Sequence, residues 1–174
     1  MSKVTILRPN IGEYAPYYEE YIALVSQGDV LDIMSQQLDD SLILLRGIPE
    51  AQGCYRYAPE KWSIKEVVGH VIDTERVFGY RALCIARNDR SPLPGFEQDD
   101  YVRSANFNSL QLHELAEEFA SVRKANLYLF RHLDEDAWLR RGVANNNEVS
   151  VRALACIMAG HEAHHMRIIR TKYL

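Results

Sequence analysis

A chain of 174 residues is long enough to form one domain with a sizeable hydrophobic core. Hydrophobic residues make up 47% of it and charged residues 25%, which are ordinary values for a globular protein. The net charge is −4, from 20 basic and 24 acidic residues without a dense Lys/Arg cluster, which argues against nucleic acid or an anionic membrane as the main partner.

Proline and glycine residues divide the chain into helical blocks separated by loops. The first block is an irregular lead-in with a short predicted helix over Pro16–Ser26. A long helix is predicted over Asp29–Arg46, because Asp29 is a good N-cap and Gly47 before a proline is a stop signal. The segment Ile48–Trp62 is predicted to be a loop.

The second long helix has the clearest start in the chain. The stretch SIKE, from Ser63 to Glu66, forms a capping box in which each side chain bonds the backbone amide of the other residue. The helix is predicted to run to Ala86 or Arg87, where NDRSPLPGF interrupts it.

Two further long helices are predicted in the second half of the chain. One begins at Asn108 or Ser109 and ends near His132. A short helix over Asp134–Arg140 and the turn GVANNNE follow. Ser150 then begins the last helix, which runs close to the C-terminus.

These helical blocks determine the predicted fold class. No segment shows the sustained alternation with β-branched residues that a strand would require. Four long helices joined by loops predict an all-α four-helix bundle, with residues 1–174 as one domain.

Three features favour a cytosolic protein. No stretch approaches the roughly 18 apolar residues needed to span a bilayer. The sequence begins without the long apolar region of a signal peptide. The three cysteines, Cys54, Cys84 and Cys156, are far apart and none belongs to a C-x-x-C pair, which is typical of reduced thiols.

The most distinctive motif is HEAHH, from His161 to His165. It fits the H-E-x-x-H pattern of zinc metalloproteases, with Glu162 in the general-base position. Those proteases take a third ligand from further along the chain, but only MRIIRTKYL follows here, without His, Asp, Glu or Cys. We therefore reject the protease interpretation and expect any third ligand to precede the motif.

A helical wheel separates the residues of this motif. At about 100° per residue from Val151, the apolar stripe centres at about 300°, with His161 at about 280° and His165 at about 320°. His164 and Glu162 fall at its opposite edges, so His164 is predicted to be a bystander and Glu162 to be exposed or supporting. His161 and His165 face the bundle interior one turn apart, where they either share a metal ion or are two hydrogen-bonded core histidines.

The candidates for a third ligand are His70, His113, His132 or a carboxylate. His70 lies beside the apolar stripe of the second helix, whereas His113 has acidic neighbours and is predicted to be exposed. His132 ends its helix, where a cationic histidine is stabilised by the helix dipole. Position therefore favours His70, with a half-buried histidine that donates to a backbone carbonyl as the alternative.

Two glycines and one carboxylate near these histidines need a structural reason. Gly69 and Gly160 each directly precede a candidate ligand, although glycine inside a helix costs about 0.5–1 kcal/mol relative to alanine. We expect close helix approach at both positions. Glu75 is expected on the apolar side of the second helix, where it pairs with Arg81 or Arg167 or orients a ligand histidine.

Three stretches resemble the DinB/YfiT-like family of metalloenzymes: WSIKEVVGHVIDTERVFGYRALCIAR, PLPGFEQDDYV and GHEAHHMRII. The lead-in RPNIGEYAPYYEEYIALV resembles one branch of that family, so the resemblance covers nearly the whole chain. It implies a four-helix bundle with up-down-down-up order, often a homodimer, and metal ligands that fall on His70, His161 and His165. It also implies zinc, nickel or a similar divalent ion as the cofactor.

The chemistry implied by the resemblance involves a small thiol. Some relatives transfer a low-molecular-weight thiol such as bacillithiol, and the related maleylpyruvate isomerases use mycothiol. Three neutral histidines leave a coordination position open for a thiol or a water. We therefore expect transfer of a thiol to a small electrophile, with metal-dependent hydrolysis of a small molecule, or a non-catalytic metal-binding or ligand-binding stress-response module, as alternatives. The sequence identifies no catalytic acid or base, and PLPGFEQDDYV is expected at the pocket rim.

Overall fold

Helices form most of the molecule, of which the computed structural model describes residues 5–174. In chain order the elements are α1 (Glu19–Ile22), α2 (Val30–Arg46), α3 (Ile64–Ala86), α4 (Gln98–Ser104), α5 (Leu112–Arg131), α6 (Glu135–Leu139), β1 (Arg141–Ala144), β2 (Asn147–Ser150) and α7 (Val151–Ile168), with short 3₁₀ turns at Pro16–Tyr18, Glu50–Gln52 and Phe107–Ser109 and a π-helical end at Ile169–Tyr173. None of the helices within the described range is long and apolar enough to cross a bilayer.

The four long helices, α2, α3, α5 and α7, form a bundle in which chain neighbours are not spatial neighbours. Both α2 and α3 pack against α5 and α7. Ser41 of α2 bonds Glu162 of α7, and one turn earlier Gln37 bonds the preceding turn of α7, so these two helices are parallel. The Tyr173 hydroxyl, after α7, donates to the Trp62 carbonyl, just before α3, so α3 is antiparallel to α7. Because α5 is antiparallel to α2, the order is up-down-down-up, which confirms the predicted four-helix bundle.

Three of the four long helices, α2, α3 and α7, begin where the capping signals predict. Ser63 Oγ accepts from the Glu66 amide at 3.2 Å while Glu66 accepts from the Ser63 amide at 2.7 Å, which completes the capping box of α3. Asp29 caps α2 and Ser150 caps α7, each through its side-chain oxygen. Each cap supplies an acceptor to a backbone N–H that the helix itself cannot satisfy.

The start of α5 differs from the prediction. The helix begins at Leu112, with a capping box between Gln111 and Glu114, rather than at Asn108 or Ser109. Asn108 lies in a 3₁₀ turn, and its side chain is hydrogen-bonded to the capping box of α3 instead. A good capping residue is therefore present, but it stabilises a different helix.

A β-hairpin occupies the segment that the sequence assigned to a turn. Strands β1 and β2 pair antiparallel, with Arg141 opposite Ser150, and the turn residues Asn145 and Asn146 both have positive φ. Asparagine tolerates this left-handed conformation, which two-residue hairpin turns require. The predicted absence of strands is therefore wrong, because four-residue strands are too short to show an alternating pattern.

The lead-in also differs, because it forms the 3₁₀ turn Pro16–Tyr18 and α1 rather than one helix over Pro16–Ser26. Glu13 ties it to the start of α7 by accepting hydrogen bonds from Ser150 Oγ and Arg152 Nε, each at 2.7 Å. Burial raises the pKa of Glu13, but these bonds and one from a backbone amide together lower it to about 2. The carboxylate is therefore ionised at neutral pH and holds the lead-in against α7.

A layer of polar side chains divides the core at mid-height. One apolar cluster contains the start of α2 and α7 and the end of α3 and α5, and a second contains the opposite ends of these helices. Polar residues lie between them, all buried except Gln37, which is half-buried, and we call them the polar layer: Gln37, Ser41, His70, Glu75, Arg123, Asn126, His161, Glu162 and His165.

Arg123 is the centre of the polar layer and is completely buried. Its guanidinium donates to Glu75 Oε1 at 2.6 and 3.1 Å, and Asn126 donates to the other oxygen of Glu75 at 2.9 Å. The predicted partners of Glu75, Arg81 and Arg167, are therefore wrong. The correct partner lies on α5, which packs beside α3.

Replacing Arg123 with methionine should destabilise the fold by about 3–5 kcal/mol, because it leaves the Glu75 carboxylate buried without a cation. The double variant Arg123→Met, Glu75→Leu should recover much of this loss, since neither charge then remains. Urea unfolding at pH 7 measures both. As a control, Arg76→Ala removes an exposed ion pair to Glu118 and should cost less than about 1 kcal/mol. A similar cost for Arg76→Ala and Arg123→Met would contradict the role of the polar layer.

Candidate metal centre

His70, His161 and His165 converge in the polar layer, where all three are buried. The Nε2 atom of His161 lies 2.9 Å from Nε2 of His70 and 3.1 Å from Nε2 of His165. The α3 helix supplies His70, and the antiparallel α7 supplies the other two from successive turns. The structure thus brings together the three histidines that the sequence selected.

Hydrogen bonds among the three rings cannot satisfy all of these nitrogens. A neutral imidazole Nε2 carries either one hydrogen or one lone pair. His161 Nε2 lies close to two other ring nitrogens, so it can form a hydrogen bond with only one of them. A cation at the centre would accept a lone pair from every ring. The alternative of hydrogen-bonded core histidines therefore accounts for one of the two contacts.

The two nitrogen separations at His161 fit ligands of a single metal ion. Metal–nitrogen bonds of about 2.0–2.1 Å place two ligand nitrogens about 2.9 Å apart at a right angle and about 3.3 Å apart at a tetrahedral angle. The two separations at His161 are 2.9 and 3.1 Å. All the candidate ligand atoms lie within 4.8 Å of one another.

Burial keeps the three imidazoles neutral, which is the form that binds metals. It lowers the pKa of His70 to about 4. It also lowers the pKa values of His161 and His165 well below the usual value, and the neighbouring histidines lower them further. The lone pairs are therefore available at neutral pH.

Aromatic side chains hold the histidine rings in place. Tyr21 of α1 packs edge-on against His161 and His164, with ring centroids 5.4 Å apart in both cases. The Trp62 ring lies against the His70 ring, with their centroids 4.8 Å apart. His164 is half-buried and belongs to this aromatic shell rather than to the nitrogen cluster, as its edge position predicted.

Both glycines lie at close approaches, although the partners are not long helices. A methyl group at Gly69 would clash with the ring of Phe107, in the 3₁₀ turn before α5. At Gly160 it would clash with the backbone carbonyl oxygen of Tyr21. The short connecting elements therefore pack directly on the histidine-bearing turns, and Gly160 is what lets α1 approach α7.

Glu162 does not face the histidine cluster. It is 2% exposed, so of the two predicted roles, exposed or supporting, the exposed one is wrong. Its carboxylate bonds Ser41 of α2, and burial raises its pKa while Arg123 opposes that effect. His113 and His132 are both exposed, as predicted for His113. Neither of them lies among the convergent nitrogens.

Two cavities flank the histidine cluster. The first cavity, of about 280 Å³, is lined by His70 and His161 and by side chains of the lead-in, α3 and the loop before α4. The second cavity, of about 330 Å³, is lined by His165 together with Tyr57 and Tyr173. Phe96, Glu97 and Gln98 line the first cavity, so part of PLPGFEQDDYV does lie at the pocket rim.

The sequence interpretation missed three residues that share one face of α3 with His70. Thr74, Phe78 and Arg81 follow His70 at intervals of four, four and three residues, and all line the first cavity. This helical spacing is the signal that could have identified them. Tyr21, by contrast, reaches the site only because the lead-in folds back onto α7, and no local pattern indicates that.

The sequence matches the DinB superfamily over residues 33–169. A protein of Oceanobacillus iheyensis, named as a proposed metal-dependent hydrolase, is 27% identical over 116 residues. That match covers 66% of each chain, slightly less than two thirds of the relative's length.

Two solved structures share the fold. YfiT from Bacillus subtilis, described as a probable metal-dependent hydrolase with an unusual four-helix bundle topology, superposes with a TM-score of 0.66 over 92% of this chain and 91% of its own, at 14% identity. The mycothiol-dependent maleylpyruvate isomerase gives a TM-score of 0.64 over 86% of this chain and 59% of its own, also at 14% identity. At this identity the likeness establishes the fold alone.

Replacing Gly160 with alanine should destabilise the fold by about 1–3 kcal/mol, although alanine favours a helix by about 1 kcal/mol. The reason is that the new methyl group meets the Tyr21 backbone, which cannot rotate away. Gly69→Ala should cost less, since it meets the Phe107 side chain. Urea unfolding compares the two, and a Gly160→Ala variant as stable as the wild type would show that α1 does not pack where described.

Proposed function

The chain belongs to the DinB superfamily, and from the geometry of its histidine cluster we propose that it is a divalent-metal-dependent enzyme acting on a small molecule. His70, His161 and His165 are the proposed metal ligands. The observation that carries this proposal is the convergence of three buried, neutral Nε2 atoms with spacings of 2.9 and 3.1 Å. Zinc or nickel is the proposed ion, because imidazole nitrogen suits both.

A divalent ion held by three neutral imidazoles keeps a coordination position open and lowers the pKa of a thiol or water that occupies it. The chain's own residues supply the rest of the site. Tyr21 and Trp62 fix the orientation of the ligand rings. The two cavities give access from different sides, to His70 and His161 on one side and to His165 on the other.

The proposed reaction is transfer of a low-molecular-weight thiol to an electrophilic substrate. Two separate cavities beside one histidine cluster suit two substrates better than one. None of the three cysteines lines either cavity, so the thiol would have to come from solution. The sulfur forms a bond to the electrophilic carbon, the leaving group departs with the electron pair of the bond that breaks, and the thiol proton passes to water.

Hydrolysis of a small molecule is the second candidate. It is favoured by the names of two relatives, the O. iheyensis protein and YfiT, both of which refer to metal-dependent hydrolysis. In the structure Glu162 lines neither cavity. A hydrolytic mechanism would therefore have to work without this glutamate as its general base.

The remaining features stay predictions. They are a cytosolic location, a homodimer, and a single domain over residues 1–174. The three cysteines are all free thiols, which fits the proposed location.

Each of the variants His70→Ala, His161→Ala and His165→Ala should lose its bound metal. Removing even a residue that only orients a metal ligand weakens binding by about 10–100-fold, so loss of a ligand should weaken it by at least about 100-fold. Metal analysis of protein purified without a His-tag gives the stoichiometry, which should be one equivalent per chain in the wild type. His113→Ala, at an exposed histidine, is the control and should keep its metal. A full equivalent in His70→Ala would refute the ligand assignment.

Metal-loaded protein should accelerate conjugation of a thiol to 1-chloro-2,4-dinitrobenzene, with release of chloride. A free thiol of pKa about 8.5 is only about 3% thiolate at pH 7, so full deprotonation gives up to about 30-fold acceleration. The assay follows absorbance with bacillithiol, mycothiol, glutathione and cysteine, and His113→Ala serves as the active control. If no thiol shows metal-dependent conjugation while a p-nitrophenyl ester is cleaved, hydrolysis replaces thiol transfer as the preferred reaction.

A further inference from the structure

Arg81 of α3 is a buried cation for which the described part of the chain supplies no carboxylate. It is 3% exposed and lines the first cavity. One of its nitrogens donates to the Pro94 carbonyl at 2.6 Å, and the Phe78 and Phe96 rings lie 5.1 and 5.9 Å from its central carbon. These contacts are polar or aromatic, and none carries a negative charge.

Arg123, the other buried arginine of the bundle, has the carboxylate partner that Arg81 lacks within the described range. Arg123 is completely buried and forms an ion pair with Glu75 at 2.6 Å. Within residues 5–174 no ion pair includes Arg81. Since a buried charge is normally paired, we expect the countercharge of Arg81 to come from a ligand.

The nearest candidates within the chain do not supply that charge. Glu97 lines the same cavity, but its side chain is exposed and forms no ion pair with Arg81. The Tyr18 phenol interacts with the Arg81 side chain. Burial and the neighbouring Tyr17 raise the pKa of Tyr18 by more than this interaction lowers it, so the phenol is neutral at physiological pH. The histidines of the cavity wall are neutral as well.

A second polar group in the same cavity lacks a partner. The Thr74 hydroxyl is buried without any hydrogen bond, and it lies one helical turn after His70. A buried hydroxyl without a hydrogen bond is unfavourable, because burial removes its bonds to water and nothing replaces them. Thr74 lies between His70 and Arg81 on their shared face, so a molecule that reached from one to the other would pass its hydroxyl.

The remaining wall restricts the shape of that molecule. Tyr17, Tyr18, Phe78 and Phe96 line the cavity, so the body of a ligand between the two polar ends would be apolar or aromatic. Arg81 lies eleven positions after His70, a rise of about 16 Å along α3. Long helical side chains lean toward the N-terminus, which brings the guanidinium back toward His70.

From these observations we propose that the first cavity binds a small carboxylate-bearing substrate. Arg81 pairs with the carboxylate, and Thr74 donates a hydrogen bond to a polar atom nearer the histidine cluster. The planar guanidinium fork matches the two oxygens of a carboxylate. This inference rests on the proposed function, because it places the reactive part of the substrate at the proposed metal, several bonds from its carboxylate.

The test measures binding of benzoate, its neutral analogue benzamide, and inorganic phosphate by isothermal titration calorimetry. Hydrogen bonds to charged groups contribute enough that benzoate should bind the wild type at least about 10-fold more tightly than benzamide. Arg81→Gln should remove this preference. Arg81→Lys keeps the charge but loses the fork, so it should weaken benzoate binding by about 3-fold or more, and it replaces Arg81→Gln if that variant does not fold.

The matched control is Arg87→Gln, which removes one positive charge from an exposed position at the end of the same helix. It should keep the full preference for benzoate. Any of three results would overturn the proposal. Benzoate and benzamide could bind equally well, both Arg81 variants could keep the preference for benzoate, or phosphate could bind as tightly as benzoate.

Measurements on metal-loaded and chelator-treated protein separate this inference from the proposed function. The preference for benzoate should survive removal of the metal and disappear in Arg81→Gln at unchanged metal content. A preference that is lost with the metal and kept in Arg81→Gln would mean that the carboxylate binds the metal, which refutes the role of Arg81. Metal-free protein that still prefers benzoate, with no metal bound under any condition, would refute the metal enzyme and leave the carboxylate site.

Discussion

Arg123 carries a buried positive charge whose partners fix how the long helices pack against one another. Its guanidinium is completely buried at mid-height, and groups from the other long helices surround it. The carboxylate of Glu75 comes from α3, and the Met34 carbonyl and Gln37 side chain come from α2. Its charge also lowers the pKa of Glu162 on α7 against the effect of burial. Because an unpaired buried guanidinium would cost several kcal/mol, the helices are stable only in a register that provides these partners.

That register also determines where the histidines meet. Apolar surfaces above and below the polar layer tolerate changes of packing, since hydrophobic groups of similar volume substitute for one another at modest cost. A buried charge with directional hydrogen bonds does not tolerate such changes of packing. His70 lies five residues before Glu75 on α3, and His161 is next to Glu162 on α7, so the contacts of Arg123 bring His70 opposite His161. Arg123 and its partners Glu75 and Gln37 therefore position the candidate metal centre, although none of the three lines either cavity beside it.

Local features of the sequence were sufficient for most of the fold and for two of the histidines. Capping residues located the starts of α2, α3 and α7, and the helical wheel directed His161 and His165 inward. The predicted partners of Glu75 were wrong, because the true partner depends on which helix packs beside α3. The up-down-down-up order makes that helix α5. No pattern within α3 encodes this neighbour.

The burial of Glu162 likewise depends on contacts that the sequence of its own helix does not reveal. A wheel predicts an exposed edge for a helix with one or two neighbours, but α7 packs against α1, α2 and α3. The lead-in that supplies α1 is held by Glu13, and Gly160 permits its close approach. These contacts join residues more than a hundred positions apart, so the burial of α7 on nearly every side could not be inferred from its own sequence.

The two buried arginines differ in a way that the geometry of α3 explains. Glu75 and Arg81 are six residues apart, which places them about 120° apart around the helix. Glu75 therefore faces Arg123 and is kept off the face that His70 shares with Arg81. A carboxylate of the chain beside Arg81 would compete with any anionic ligand at the high effective concentration of an intramolecular group. A structural cation benefits from such a permanent partner, whereas a cation that binds a substrate must be left without one.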